Sequence, residues 1–167
     1  MQLSTRHPSA GFTLIETTIA AALSALFLSS LFTMNVASMD TIRCAKESVS
    51  ASQALQQRVE SMRIANWSQI TNADWISANL LNASAPGSEY LRNLSETLTL
   101  VPYGSTSIGN TQLVRSNNST TIVSRNAGLL TENAIKVIWT LNFTGAPNDR
   151  ANSRLIVAIL AKGGVAK

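Results

Sequence analysis

Gly11-Phe12-Thr13-Leu14-Ile15-Glu16 opens a long apolar run that continues to Met39 and decides how the rest of the chain is organised. Between Phe12 and Met39 the only ionisable side chain is Glu16, and neither Gly nor Pro interrupts the run. About 20 apolar residues suffice for a helix that crosses a bilayer, so the run predicts a transmembrane helix. A carboxylate at mid-membrane costs roughly 2.5–3.5 kcal/mol on insertion scales, which indicates that Glu16 has a specific role.

Two other kinds of N-terminal segment share part of this pattern. A secretory signal peptide has an apolar core of about 7–15 residues followed by a small-residue cleavage site, whereas this run is about twice as long and continues into more helix. An uncleaved signal anchor fits the length of the run but leaves Glu16 without an explanation. The signal anchor therefore stays open as an alternative.

A short polar leader that ends in Gly, followed by Phe-Thr-Leu-Ile-Glu and an unbroken apolar helix, resembles the prepilin signature of type IV pilins and type II secretion pseudopilins. The resemblance implies that a prepilin peptidase cleaves between Gly11 and Phe12, and that the new amine of Phe12 is N-methylated. Glu16 is then the fifth residue of the mature chain, which matches the assembly glutamate of the family. A buried carboxylate is tolerated when it is paired, and in a helical filament its partner would be the N-terminal ammonium of a neighbouring subunit.

The sequence divides into five segments, which together predict an α+β fold. They are a leader (1–11), a transmembrane and assembly helix (12–39), an amphipathic continuation of that helix (40–65), a connector with a short predicted helix (66–90), and an antiparallel β-sheet that forms the globular head (91–167). A long N-terminal helix packed on a small antiparallel sheet is also the layout that the pilin resemblance implies.

The second half of the long helix is predicted to pack on the head. A helix from Phe12 to about Ala65 would be roughly 80 Å long, against a hydrocarbon core of about 30 Å, so much of it lies outside the membrane. Its predicted apolar stripe consists of Ile42, Ala45, Val49, Ser52, Leu55, Val59 and Met62, which follow helical spacing. The charged residues, Arg58 among them, fall mainly off this stripe.

The connector contains a predicted helix over Asn72 to Leu81, with Asn72 or Asp74 in its capping region.

The predicted strands follow the connector. In the first of them Leu94, Glu96, Leu98 and Leu100 share one face. Residues 133–144 alternate more clearly, and the residues on one face of that strand are Ile135, Val137, Trp139, Leu141 and Phe143. Strands over 111–116 and 119–124 flank Asn117-Asn118, a plausible hairpin turn because Asn tolerates positive φ.

The last predicted strand, residues 153–162, is apolar on both faces. We therefore expect it to lie against the helix and to be partly covered on its other side as well. Trp67 and Trp75 in the connector are expected to pack into the core, with a subunit interface as the alternative.

Composition argues against catalysis and against a cofactor. The chain has 167 residues, a formal net charge of +4 and a single histidine, His7, which would leave with the leader. No phosphate-binding loop, zinc pattern or nucleophile motif occurs, so we expect no catalytic residues, no cofactor and no metal ligands. Calcium at the loop around Asn148-Asp149 is a weaker alternative, because that loop carries one carboxylate.

Charge and cysteine content restrict the partners further. The arginines are scattered rather than clustered, so nucleic-acid binding is not expected. Cys44 is the only cysteine, so no intrachain disulfide can form, and we expect it to be a buried or half-buried helix residue, with intermolecular pairing as the alternative.

The resemblance implies a structural filament subunit that is not an enzyme, in a type IV pilus or a type II secretion pseudopilus. The missing cysteine pair and calcium pattern favour a minor subunit. Its implied partners are prepilin peptidase, other pilin or pseudopilin subunits and the bacterial inner membrane, which it would cross once with a periplasmic C-terminal domain before entering the filament. The alternatives are a signal-anchored periplasmic binding module that does not polymerise and a competence-type minor pilin that binds DNA.

Overall fold

A computed structural model describes residues 13–104, 109–146 and 149–163 of the chain, and these form an α+β fold. The helices are α1 (Leu14–Ile64), α2 (Trp67–Ile70) and α3 (Ala73–Asn79), with a 3₁₀ turn at Ala127–Thr131. The strands are β1 (Arg92–Pro102), β2 (Thr111–Ser116), β3 (Ser119–Ser124), β4 (Ala134–Gly145) and β5 (Arg150–Ala161). The chain separates into two compact units, Met1–Thr41 and Ile42–Lys167, so the first half of α1 is described apart from the head.

The five strands form one antiparallel sheet in the order β3-β2-β1-β4-β5. Strand β4, which lies between β1 and β5, alternates as predicted, and its apolar face (Ile135, Val137, Trp139, Leu141 and Phe143) is buried in the core. The β2–β3 hairpin is also confirmed, because Asn117 and Asn118 both have positive φ, at 50° and 64°. That pair of angles is what a tight two-residue hairpin turn requires.

The buried stripe of the second half of α1 matches the predicted one only at its C-terminal end. The predicted members Leu55, Val59 and Met62 are buried. The predicted members Ile42 and Val49 are each 55% exposed, and Ala45 and Ser52 are exposed as well. The remaining buried residues of α1 are Ser50, Ala51, Ala54 and Arg58. The residues at 50, 51 and 54 are small and are buried, and hydropathy alone does not signal this in a segment rich in Ala and Ser.

The connector is part of the core. As predicted, a short helix follows Asn72, whose side chain caps α3 by accepting from the backbone N–H groups of Asp74 at 2.9 Å and Trp75 at 3.3 Å. Trp67 and Trp75 are partly buried against the core, and the Trp67 indole donates to the carbonyl of Leu130 at 3.1 Å. Helix α2 and the 3₁₀ turn are too short to give a periodic signal, and the sequence did not predict them.

Strand β5 is an edge strand, and the prediction that its second face would be covered is wrong. Its outer side chains Leu155, Val157 and Ile159 are 59%, 48% and 55% exposed. On the inner face, Leu160 is buried and Ile156 and Ala158 pack against the core. Within the described residues, helices pack on only one face of this sheet. The apolar side chains on the other face of β5 therefore stay exposed.

A buried ion pair joins α1 to the sheet, and it corrects the expected placement of Arg58 off the buried stripe. The guanidinium of Arg58 donates to Glu96 through Nε at 3.0 Å and through Nη2 at 2.9 Å. It also donates to the carbonyls of Leu80 and Ala83 in the connector, and it lies 5.7 Å from the centre of the Trp139 ring. Arg58 can be buried because its charge is paired and its N–H groups have acceptors.

Glu96 meets a second buried arginine on its other side. Nη1 of Arg115, in β2, lies 3.6 Å from the Glu96 carboxylate, and Nη2 donates to Ser84 at 3.0 Å and Asn118 at 3.1 Å. The backbone N–H of Ala85 also donates to Glu96, at 3.3 Å. One carboxylate therefore links α1, the connector and two strands. The sequence placed Glu96 on the apolar face of its strand but did not identify either partner.

We predict that Glu96→Gln destabilises the protein strongly, because two buried guanidinium groups lose their only carboxylate. Breaking a buried charge pair in this way costs about 3–5 kcal/mol. Glu60→Gln is the matched control, since the Glu60–Arg63 pair is exposed and should contribute less than about 1 kcal/mol. Urea unfolding of the full chain in detergent, followed by tryptophan fluorescence, measures both. Equal losses for the two variants would contradict this role of Glu96.

Candidate functional site

The first candidate site is the start of α1, where Thr13 and Glu16 form a capping box. The backbone N–H of Thr13 donates to Oε2 of Glu16 at 2.9 Å, and the Thr13 hydroxyl donates to the same oxygen at 3.0 Å. In return the backbone N–H of Glu16 donates to the Thr13 hydroxyl at 3.3 Å. This reciprocal arrangement satisfies two N–H groups at the helix start. The predicted cleavage and methylation residues, Gly11 and Phe12, lie outside the described residues.

The apolar surface of α1 is the second candidate feature. Every residue from 13 to 39 is exposed, and the helix contains an 18-residue window with a mean hydropathy of 1.8. It is therefore long enough and apolar enough to cross a membrane. A helix that is apolar all round needs lipid or other helices to cover it.

Many of the polar side chains in the same segment are satisfied within the helix. Hydroxyls donate to the backbone carbonyl three or four residues earlier at Thr17, Thr18, Ser24, Thr33 and Ser38. Such bonds remove the cost of placing a bare hydroxyl in an apolar environment. The carboxylate of Glu16 therefore remains as the one charged group of the apolar segment.

The third feature is a contact between α1 and the β4–β5 turn. The carboxylate of Glu47 accepts from the backbone N–H of Ala146, at 3.1 and 3.2 Å to its two oxygens. A Cβ at Gly145 would displace the ends of the Glu47 and Asn152 side chains, so a larger residue there would disturb this contact. Cys44 is exposed rather than buried or half-buried, and its thiol donates to the carbonyl of Ala146 at 2.7 Å. This contact is the second one that links α1 to the turn.

The arginines are mostly engaged with other residues. Arg58 and Arg115 are buried, and carboxylates pair with Arg63, Arg92 and Arg125. Arg154 donates to the Ser48 hydroxyl at 2.6 Å. Within the described residues these contacts leave few arginines to form a continuous basic surface for nucleic acid.

The described residues hold no group of three or more His, Cys, Asp or Glu side chains that could bind a metal ion. Asp149, the carboxylate of the loop considered for calcium, pairs with Arg92 at 3.0 Å. Asn148 of that loop lies outside the described residues. The groups that the structure brings together in this region bridge protein segments to each other.

No protein-family model, no curated protein and no solved structure matches this chain. The resemblance to prepilins therefore rests on the chain's own residues 11–39 and on the α+β layout.

One surface ion pair gives a pH-dependent prediction. Arg125 donates to both oxygens of Asp74, at 2.5 and 2.6 Å, and these hydrogen bonds hold the pKa of the Asp74 carboxyl below its ordinary value. The pair thereby joins the first turn of α3 to the segment that follows β3. Because the folded pKa is lowered, the pair contributes stability above the unfolded pKa, about 3.9 for Asp, and loses it as the pH falls through the folded value.

We therefore expect Asp74→Asn to lower the melting temperature at pH 7, and the difference from the parent chain to disappear as the pH falls below about 4. The same substitution in an Arg125→Gln background should have a smaller effect that varies less with pH. Thermal unfolding at several pH values measures the four chains. A difference that is the same at pH 7 and at the acid end would show that the ion pair does not stabilise the fold.

Proposed function

We propose that this protein is a structural subunit, of the minor kind, of a type IV pilus or a type II secretion pseudopilus. In this proposal prepilin peptidase cleaves between Gly11 and Phe12 and the amine of Phe12 is methylated. Subunits then leave the bacterial inner membrane and assemble by bundling their α1 helices, with the head on the periplasmic side. The protein is the substrate of an enzyme and not itself an enzyme.

The observation that carries the proposal is the carboxylate of Glu16 at the start of a fully exposed apolar helix. An anchor that only holds a domain at a membrane gains the helix cap from this residue, but a neutral Gln would supply the same cap, and the charge itself raises the cost of insertion. A filament gains a specific contact, because the carboxylate can neutralise the N-terminal ammonium of a neighbour once both are buried. The charge is thus explained by assembly and unexplained by anchoring.

The geometry of Glu16 supports the same role. Both hydrogen bonds from Thr13 go to Oε2, and Oε1 accepts none from the described residues. One oxygen can therefore stay in the capping box while the other accepts from an ammonium group of a second chain. The capping box also fixes the rotamer of Glu16, which lowers the entropic cost of that contact.

The α+β layout supports the proposal more generally. The second half of α1 is held to the sheet by Arg58 and by apolar packing, whereas the residues from 13 to 39 are exposed. In such a chain the exposed residues 13–39 are available for assembly, while the second half of α1 and the sheet form the folded head. The competence-type alternative, in which the head binds DNA, draws no support from arginines that are buried or paired with carboxylates.

The first test is the mass and N-terminal residue of the protein in membranes that contain or lack a prepilin peptidase. We expect an N-methylated Phe12 only where the peptidase is present, and a Gly11→Val variant should keep its leader in both. A parent chain that retains Met1 to Gly11 in both membranes would contradict the proposal. A signal-anchored periplasmic module that does not polymerise would then be the better account.

The second test separates assembly from processing. Glu16→Leu should still insert and be cleaved, but its incorporation into filaments should fall on the order of a hundredfold, because the ammonium of the neighbour loses its partner. Thr18→Leu is the matched control, since it adds apolar volume nearby without changing a charge. Sheared filaments are assayed for the subunit by immunoblot. Normal incorporation of Glu16→Leu would exclude the assembly role of Glu16.

A further inference from the structure

Strand β5 presents a long unprotected edge. It pairs with β4 along its full length, from Arg150 to Ala161, and no described strand pairs with its other side. Native proteins usually protect such edges with short strands, Pro, or charges that point inward. The stretch from Leu155 to Ala161 contains no charge, no Pro and no Gly. An edge of this kind is a template for another strand.

The opposite edge of the sheet is different. Strand β3 is half as long, six residues against twelve, and is composed mostly of Ser and Thr. The hydroxyl of Thr120 donates to the carbonyl of Leu81 at 2.7 Å, which ties this edge to the connector. Strand β3 also has no described strand on its outer side, but β5 is the longer and the more apolar of the two edge strands.

The register shows which backbone groups of β5 are directed to the free edge. The N–H of Lys162 donates to the carbonyl of Asn133 at 2.7 Å, so this is a hydrogen-bonded pair of the β4–β5 ladder. Such pairs alternate with non-hydrogen-bonded ones in antiparallel sheets. Even-numbered residues of β5 therefore direct their N–H and C=O groups to β4, and odd-numbered residues direct theirs outward. Leu155, Val157 and Ile159 belong to the outward set.

The charges around this edge indicate what kind of strand would pair with it. Lys136 lies opposite Ile159 in the register, Arg150 opens β5 and Lys162 follows it. None of these three forms an ion pair with a carboxylate of the described residues. The apolar edge is thus bounded by unpaired positive charge at both ends.

A groove beside β5 could receive side chains from an added strand. It has a volume of about 710 Å³ and its lining includes Met62, Trp67, Ile70 and Leu160. Ile159 and Ala161 of β5 also line it, so it is continuous with the free edge. The inner-face side chains of a paired strand would lie next to this apolar groove.

We propose that the free edge of β5 binds an extended segment of a partner protein by β-strand addition, and that this segment carries alternating aliphatic residues with carboxylates at its ends. Backbone hydrogen bonds to the odd-numbered residues of β5 give affinity, and side chains on alternate positions give specificity. This inference is independent of the filament proposal, because an uncleaved chain would present the same edge.

A second copy of this chain fits the edge less well. If two β5 strands pair antiparallel with Val157 opposite Val157, Lys162 of one copy falls opposite Asn152 of the other. It then lies between Arg150 and Arg154, and like charges in neighbouring cross-strand positions are destabilising. Carboxylates at the ends of a partner segment make the opposite, favourable contacts.

The test uses the full chain in detergent and a peptide labelled with fluorescein on its N-terminal amine, fluorescein-Asp-Glu-Thr-Val-Thr-Ile-Thr-Val-Thr-Ile-Thr-Glu-Asp-amide, followed by fluorescence anisotropy. We expect saturable binding to the parent chain. A peptide N-methylated at alternate amides, which cannot pair as a strand, and a peptide with Lys in place of the acidic residues should each bind about tenfold more weakly or worse.

Two substitutions at Val157 test whether the peptide binds at the free edge of β5. Val157→Pro removes an N–H that is directed to the free edge and leaves the β4–β5 bonds in place, and Val157→Glu keeps the backbone but adds a negative charge that repels the acidic peptide. Both should lower the affinity about tenfold or more. Val123→Glu, an equivalent change at an exposed valine of the β3 edge, should leave binding unchanged. If Val157→Pro alters the circular dichroism spectrum, Val157→Glu still decides the outcome.

Three results would overturn the proposal. The first is the absence of saturable binding at millimolar peptide, and the second is equal binding of the N-methylated peptide, which would indicate side-chain adhesion without strand pairing. The third is a homodimer in sedimentation equilibrium that Val157→Glu dissociates, which would assign the edge to a second copy of this chain.

Discussion

The buried carboxylate of Glu96 is the interaction on which the head depends most. It receives two hydrogen bonds from Arg58, one from the connector at Ala85, and a second guanidinium from Arg115. Through these contacts Glu96, in β1, is connected to the second half of α1, to the connector and to β2. Because a buried charge is tolerated only with its partners in place, the four segments must reach the same arrangement together.

This network also explains how a helix with a weak apolar stripe is fixed on a sheet. The buried residues near the start of the contact are Ser50, Ala51 and Ala54, which bury little apolar area. The charge pair of Arg58 then provides a directional contact that sets the rotation of the helix about its axis. Apolar packing by Leu55 and Met62 completes the contact.

Two surfaces of the isolated chain lack a partner that would cover them or pair with them. The residues of α1 from 13 to 39 are exposed and apolar, and β5 has a free backbone edge with exposed aliphatic side chains. The first needs lipid or other helices, and the second needs a strand. Both are consistent with a protein that works within an assembly, and they lie in different compact units of the chain.

The sequence by itself determined the features that depend on neighbouring residues. These are the extent of α1, the capping region of α3 at Asn72 or Asp74, the hairpin turn at Asn117-Asn118 and the buried face of β4, because helix period, strand period and turn chemistry are local properties. Only the tertiary structure decided that Arg58 pairs with Glu96, 38 residues away, and that the outer face of β5 stays exposed. Those outcomes depend on which distant segments meet, and a polar residue or an apolar strand does not specify its partner from its own position.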